Sequence, residues 1–238
     1  YHRGCEPIET LMDNLGLTHI RVPTDFSPHH IRRKTSVIVL PVNSASSIWQ
    51  SECFRLSLDL FVRQLGGTLI CLVQNRSELL QVLPVPHGEN DISGFGFREM
   101  HSAYYLATEN IAVHPVLAGL NNDHSQLNFD GYFTGYPANS EILITNRNNG
   151  YPVLLTYPCE NGRVIITSLT MGIGMEFGSS DEARLAANIL AYSLDGDSMP
   201  EFILDITEPV NEISEEFQMV NTTNRFGSYA EITLLSPD

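Results

Sequence analysis

Two uninterrupted apolar runs bracket an amphipathic helical pattern, and this arrangement most narrows what the chain can fold into. The first run is Ser36-Val-Ile-Val-Leu-Pro-Val42 and the second is Thr68-Leu-Ile-Cys-Leu-Val73. Runs of this length, rich in β-branched residues, suit strands covered on both faces, as in a parallel sheet. Between them Phe54, Leu58, Phe61, Val62 and Leu65 recur at three and four, which predicts a helix over Ser51 to Leu65 ended by Gly66-Gly67. Strand, helix and strand at this spacing make a βαβ unit with parallel strands.

Further elements follow from the same reasoning. Glu6 to Leu15 has helical spacing closed by Gly16, and Thr18 to Val22 is a short strand. Later, Glu141 to Thr145, Tyr151 to Tyr157 and Arg163 to Leu169 are separated by the turns Asn148-Asn149-Gly150 and Glu160-Asn161-Gly162. Such turns predict an antiparallel meander. Asp181 to Leu194 is a helix with Ser180 as its N-cap. After Pro200 three short β-rich runs follow, Phe202 to Ile206, Phe217 to Val220 and Tyr229 to Leu235. They resemble the opening strands of an immunoglobulin-like sandwich. The expected organisation is an α/β domain over 1–199 and an incomplete Ig-like β segment over 200–238.

Composition limits the function classes. Apolar residues make up 42% and charged residues 17%, which supports a packed core and excludes a disordered chain. The net charge of −15 is uneven, because residues 181–238 hold 12 acids against only Arg184 and Arg225. An acidic surface repels phosphate backbones, so nucleic acid is excluded as a partner. No apolar run reaches membrane-spanning length. The chain opens at Tyr1 without an initiator methionine and is read as a piece of a longer protein, with any membrane attachment through segments not included. Cys5, Cys53, Cys71 and Cys159 form no C-x-x-C pair. His29 and His30 sit in a polar stretch, so no metal site is assigned there. Gly172, Gly174 and Gly178 precede the last helix without a nucleotide fingerprint or a lysine, and no cofactor is expected.

Taken together, V-I-V-L-P, F-V-R-Q-L-G-G-T-L-I, H-P-V-L-A-G-L and G-Y-P-V-L-L-T-Y-P-C-E-N-G-R-V-I-I-T-S resemble the class I glutamine amidotransferase-like superfamily over residues 1–195. The resemblance is to its non-catalytic branch, found inside larger proteins such as the middle domain of some β-galactosidases. It implies a flavodoxin-like parallel sheet with helices on both faces plus the antiparallel meander. Active members carry a cysteine nucleophile in the segment resembling T-L-I-C-L-V-Q, with glycines two residues before and after it. Here those positions are Leu69 and Val73, and a β-branched valine opposes the strained turn a nucleophile elbow needs. The family's catalytic histidine follows a late strand, but Arg163 to Met171 and the G-I-G-M-E-F after it contain none. The one His-Pro, His114-Pro115, precedes the meander. No catalytic residue is therefore assigned, and Cys71 is read as a core cysteine.

The remaining candidate site is His114 to Pro137, rich in Asn, Asp, Gly and Tyr and without lasting periodicity. It is expected on the surface. If it reaches the carboxyl ends of the parallel strands, where such sheets bind ligands, then Asp123, His124, Asp130, Tyr132 and Tyr136 are the ligand-binding candidates. A non-catalytic scaffolding or binding module is the leading expectation, in an extracytoplasmic or membrane-anchored ectodomain whose partners are neighbouring domains of the same chain. One alternative is the accessory carbohydrate-binding domain of a glycosidase, with a glycan as ligand. The other is a hydrolase or amidotransferase whose active site has moved to His114 or His124.

Overall fold

The computed structural model describes residues 6–22, 31, 35–41, 52–74, 77–86, 95–99, 108–110, 113–120, 123–124, 127–171, 175, 179–195 and 231–235. Among these residues the main sheet has nine strands. In chain order they are β1 (Thr18–Val22), β2 (Thr35–Leu40), β3 (Thr68–Leu72), β5 (Thr108–Asn110), β6 (Asp123–His124), β8 (Glu141–Asn146), β9 (Pro152–Cys159), β10 (Gly162–Thr167) and β11 (Glu231–Leu235). The sheet order is β1-β11-β2-β3-β10-β9-β8-β5-β6. All pairs from β1 to β10 are parallel, and those from β10 outward are antiparallel. A separate antiparallel ribbon joins β4 (Gly96–Glu99) to β7 (Gly131–Gly135). This is the expected α/β flavodoxin-like architecture with its meander.

The continuous apolar runs become strands covered on both sides, for the reason inferred from their sequence. Along β3, Ile70 and Leu72 enter one core while Leu69, Cys71 and Val73 enter the other. The first core is covered by α1 (Glu6–Asn14), α3 (Ser180–Asp195) and the 3₁₀ turn Pro115–Leu117. The second is covered by α2 (Glu52–Asp59), the 3₁₀ turn Ser77–Val82 and the aromatic side chains Phe97 and Phe133 of the β4–β7 ribbon. Period-two alternation thus sends Leu69 to Leu72 of β3 into apolar surroundings on both faces.

Three details differ from expectation. The helix over Ser51 to Leu65 is α-helical only to Asp59 and continues as a π-helical turn over Leu60–Gln64. The wider turn, closed by Leu65 N–H donating to the Leu60 carbonyl at 3.1 Å, rotates Leu65 outward to 56% exposure. The cap of α3 is Ser179 rather than Ser180, its Oγ accepting from the Glu182 N–H at 3.2 Å. The third concerns the C-terminal run Tyr229 to Leu235, expected in an Ig-like segment. Its described part is β11, which lies between β1 and β2 as a parallel strand of the main sheet. Residues 200–230, with the other two runs of that segment, lie outside the described residues.

At the amino ends of β3 and β10 the backbones meet closely. A Cβ on Gly162 would lie 2.3 Å from the Gly67 carbonyl oxygen and 2.5 Å from that of Val62. Beside it, Arg63 spans three segments. Its Nε donates to Asp59 at 2.6 Å, one terminal nitrogen meets Glu160 at 3.0 Å, and the other donates to the Val85 carbonyl. Glu160 itself adopts φ 49°, which tightens the β9–β10 turn.

Gly162→Ala is expected to cost about 2–3 kcal/mol, because both opposing atoms are backbone and cannot rotate away. Gly150→Ala meets no atom within 4 Å at φ +73°, and should cost only about 1 kcal/mol of left-handed strain. Urea unfolding of the two variants measures the difference, and equal losses would show that the Gly162 contact is soft.

Candidate functional site

In a sheet of this type the ligand crevice lies beyond the carboxyl ends of the parallel strands. At the end of β3, Val73 N–H donates to the Thr167 carbonyl at 2.8 Å, and Gln74 then takes φ 48° before the 3₁₀ turn over Ser77–Val82. Strand, strained residue and helical turn in succession form the arrangement that presents a nucleophile in elbow enzymes. The residue holding the strained position is Gln74, whose amide is neither a nucleophile nor titratable.

Cys71 lies three residues earlier in β3, paired to Leu40 of β2 and Ile166 of β10. It is fully buried, and burial pushes its thiol far above the usual cysteine range. The thiolate that nucleophilic chemistry requires is therefore suppressed. Cys159 is also buried, and its thiol is pushed up to about 12 by burial and then by its hydrogen bond to Glu160. Cys53 is a free and exposed thiol.

The end of β10 is crossed by residues 127–131. Phe129 bridges to Leu169, Asp130 N–H donates to the Ser168 carbonyl at 3.2 Å, and Thr170 N–H donates to the Asn128 carbonyl at 2.9 Å. Side chains repeat the pattern. Ser168 Oγ donates to the Gly131 carbonyl at 2.6 Å and Thr167 Oγ1 to the Val153 carbonyl at 3.0 Å. This position, where the resemblance implies a histidine in active members, is filled by short neutral residues bound to backbone.

The five sequence candidates do not converge. Asp130 does reach the carboxyl end of β10. Tyr132 in β7 packs against the first core and Tyr136 against the second. Asp123 and His124 form β6 at the outer edge of the meander, paired to Glu109 and Thr108 of β5. Nor is His114–Pro137 simply a surface loop. Val116, Leu117, Leu127, Phe129 and Phe133 are buried and anchor it, so its apolar members outweigh its polar composition. Sequence reasoning missed Tyr151, 44% exposed, whose ring stacks on Tyr132 at 5.0 Å and 13°. The available sign was its position directly after the Asn148-Asn149-Gly150 turn. That turn ends on the same side of the sheet as Asp130, because β9 runs against β10.

His114 belongs to the opposite end. Its Nδ1 accepts from Val116 N–H at 3.1 Å, and its Nε2 faces the Glu141 carboxylate at 3.9 Å. Its ring meets Tyr192 edge-on at 4.6 Å, and the Arg163 guanidinium covers the same tyrosine at 4.3 Å. Arg163 and Glu141 stand near the starts of β10 and β8, away from the crevice. Burial lowers the His114 pKa, Glu141 opposes that shift, and Arg163 adds to it. A neutral imidazole acting as helix cap and packing surface is a structural role, so a site relocated to His114 gains no support from this geometry. Among the described residues no group of three or more His, Cys, Asp and Glu side chains could hold a metal ion.

No protein-family model matches the chain, and no curated protein does. Solved structures do resemble it. Cytoplasmic protein STM1381 from Salmonella typhimurium LT2 is 18% identical, with 81% of this chain and 88% of that chain covered and a TM-score of 0.58. Cytoplasmic protein STM3548 from Salmonella typhimurium is 16% identical, with 80% and 87% covered and a TM-score of 0.54. A glutamine amidotransferase from Thermotoga maritima is also among them, at 11% identity, 79% and 89% coverage and a TM-score of 0.48. At such identities the likeness is one of fold. These findings correct the extracytoplasmic or membrane-anchored placement expected from the sequence. Both Salmonella structures, each above a TM-score of 0.5, are cytoplasmic proteins. Among the described residues no helix is long and apolar enough to cross a membrane. The Ig-like segment that motivated the placement supplies β11 to the main sheet instead.

The lowered His114 pKa fixes the sign of a pH effect. The unfolded chain takes up this proton below pH 6.5, the ordinary histidine value, while the native state resists it. Stability is therefore full above pH 6.5 and is lost as pH falls from there toward the lowered native value. His114→Asn keeps an acceptor for the Val116 N–H and removes the titration. The wild-type urea midpoint should fall between pH 7 and pH 5 more than that of the variant, and parallel curves would remove His114 from the account.

Proposed function

We propose that this α/β domain is a non-catalytic member of the amidotransferase-like fold, acting as a scaffolding or binding module within a larger protein. The observation that carries the reading is the three-residue offset between Cys71 and the strained turn. The turn that would present a nucleophile holds Gln74, while the thiol is sealed inside β3. The short neutral residues at the end of β10 support it further, since Ser168 and Thr170 cannot act as a general base without an activating partner. Neighbouring domains of the same chain are its proposed partners.

A second reading, a glycan-binding accessory role, is favoured by one specific feature. The stacked pair Tyr132–Tyr151 stands near the carboxyl ends of the parallel strands together with Asp130. One face of Tyr151 is taken by Tyr132, and its 44% exposure leaves surface against which an apolar sugar face could stack. Tyr151→Ala would remove that surface without touching either core. A glycan-induced thermal shift in wild type that the variant lacks would favour this role over pure scaffolding.

Iodoacetamide labelling of the native protein, read by peptide mass, tests the non-catalytic reading. Cys53 should react within minutes because it is exposed, and Cys71 should react only on unfolding. Glutamine hydrolysis should be at background for wild type and for Cys71→Ala alike. Native labelling of Cys71, or hydrolysis abolished by Cys71→Ala, would overturn the reading.

A further inference from the structure

The strand that completes the parallel half of the sheet is the last one among the described residues, and it does not lie at an edge. β11 sits between the first two strands, with Thr18 to Val22 aligned to Glu231 to Leu235 on one side. On its other side Ile232, Thr233 and Leu234 align with Val37, Ile38 and Val39. In the sheet order β1 therefore has β11 as its neighbour and no direct pairing to β2. Ser36 to Leu40 of β2 are buried at 6% exposure or less, so backbone groups on the β11 side of β2 need a strand to satisfy them.

The connection does not force this arrangement. α3 ends at Asp195 and β11 begins at Glu231, which leaves 35 residues between them. Helix-to-strand connections in α/β units usually take about 2–6 residues. With β11 so far along the chain from α3, its place between β1 and β2 is specified by strand pairing. We propose that the gap between β1 and β2 is an acceptor site for one parallel β-strand, and that Glu231–Leu235 occupies it as a detachable intramolecular ligand. The chemistry recognised is main-chain hydrogen bonding by an extended segment with β-forming residues at the Ile232, Thr233 and Leu234 register.

Two measurements on the full chain test this. His19 and Ile232 are Cα partners, so His19→Cys with Ile232→Cys, in a Cys5→Ser and Cys53→Ser background, should form a disulfide within one chain on mild oxidation. Full chain carrying only His19→Cys in the same background should form an adduct with a synthetic peptide of residues 229–238 bearing Ile232→Cys. That adduct should saturate as peptide concentration rises and fail when the peptide also carries Thr233→Pro, which removes a ladder donor. Hydrogen exchange provides the independent readout. Thr233→Pro in the full chain should lower protection of the 35–40 amides about tenfold or more, with excess native-sequence peptide restoring it. Three results would overturn the proposal. They are disulfide only between chains or none at all, equal adduct with the proline peptide, and unchanged protection in Thr233→Pro, which would mean that β1 closes directly on β2.

Discussion

The pairing of β3 with β10 is the seam on which the rest of the sheet depends. Five aligned pairs, from Thr68–Arg163 to Leu72–Thr167, join the parallel strands to the antiparallel meander. Both strands are covered on both faces, so their alternate residues enter two separate cores. A slip of one residue would exchange the two sets and bring each side chain into the wrong core. The amino end of the seam is where that register is held. Gly162 lies against the carbonyls of Gly67 and Val62, and Arg63 ties the β9–β10 turn to Asp59 and Val85. The π-helical turn belongs to the same device, because it brings the Phe61 ring to the place a Cβ on Gly67 would occupy.

Because the register is set at the amino end, the carboxyl end can vary in chemistry without loss of the sheet. There Val73 N–H reaches the Thr167 carbonyl, extending the ladder past the last aligned pair. β3 consequently stays regular beyond Cys71, and the backbone turns only at Gln74. The identity of Val73 and the place of the turn are one fact seen twice. A β-branched residue prefers the extended ladder, and the strain passes to the next position, where a residue without β-branching tolerates positive φ at lower cost.

Much of this was legible in the sequence, for reasons that also explain what was not. The runs at Val37 and Leu69 announced buried parallel strands because continuous apolarity has few other uses at that length. The turns at Asn149-Gly150 and Asn161-Gly162 announced the meander because glycine relieves the tight backbone there. The placement of β11 was illegible, because Ile232 to Leu235 has the same β pattern whether it opens a sandwich or completes a sheet. The scatter of the candidate residues was illegible for a related reason. Polar composition suggested one surface loop over His114 to Pro137, but five buried apolar residues anchor that segment to the cores. Asp123 and His124 were carried to the far edge of the meander, while Asp130 and Tyr132 reached the expected crevice end. Tyr151 escaped notice because its partner, Tyr132, comes from a different sheet and a distant part of the chain.

The two ends of the seam also carry different side chains. Arg63, Asp59, Glu160, Arg163, Glu141 and His114 gather where β3, β8 and β10 begin, and several of them pair with one another. Near the opposite end stand Gln74, Asn128, Asp130, Ser168, Thr170, Tyr132 and Tyr151, together with Arg147 of the β8–β9 turn and Asp181 and Glu182 in the first turn of α3. Acyl transfer needs a group that takes up a proton near neutral pH and donors aimed at developing negative charge. Recognition of a neutral polar ligand needs hydroxyls, amides, an acceptor carboxylate and an aromatic face. Hydroxyls, amides, a carboxylate and an aromatic face are all present among the side chains described at the crevice end. The stacked tyrosines beside Asp130 are the part of that set on which the proposed binding role rests.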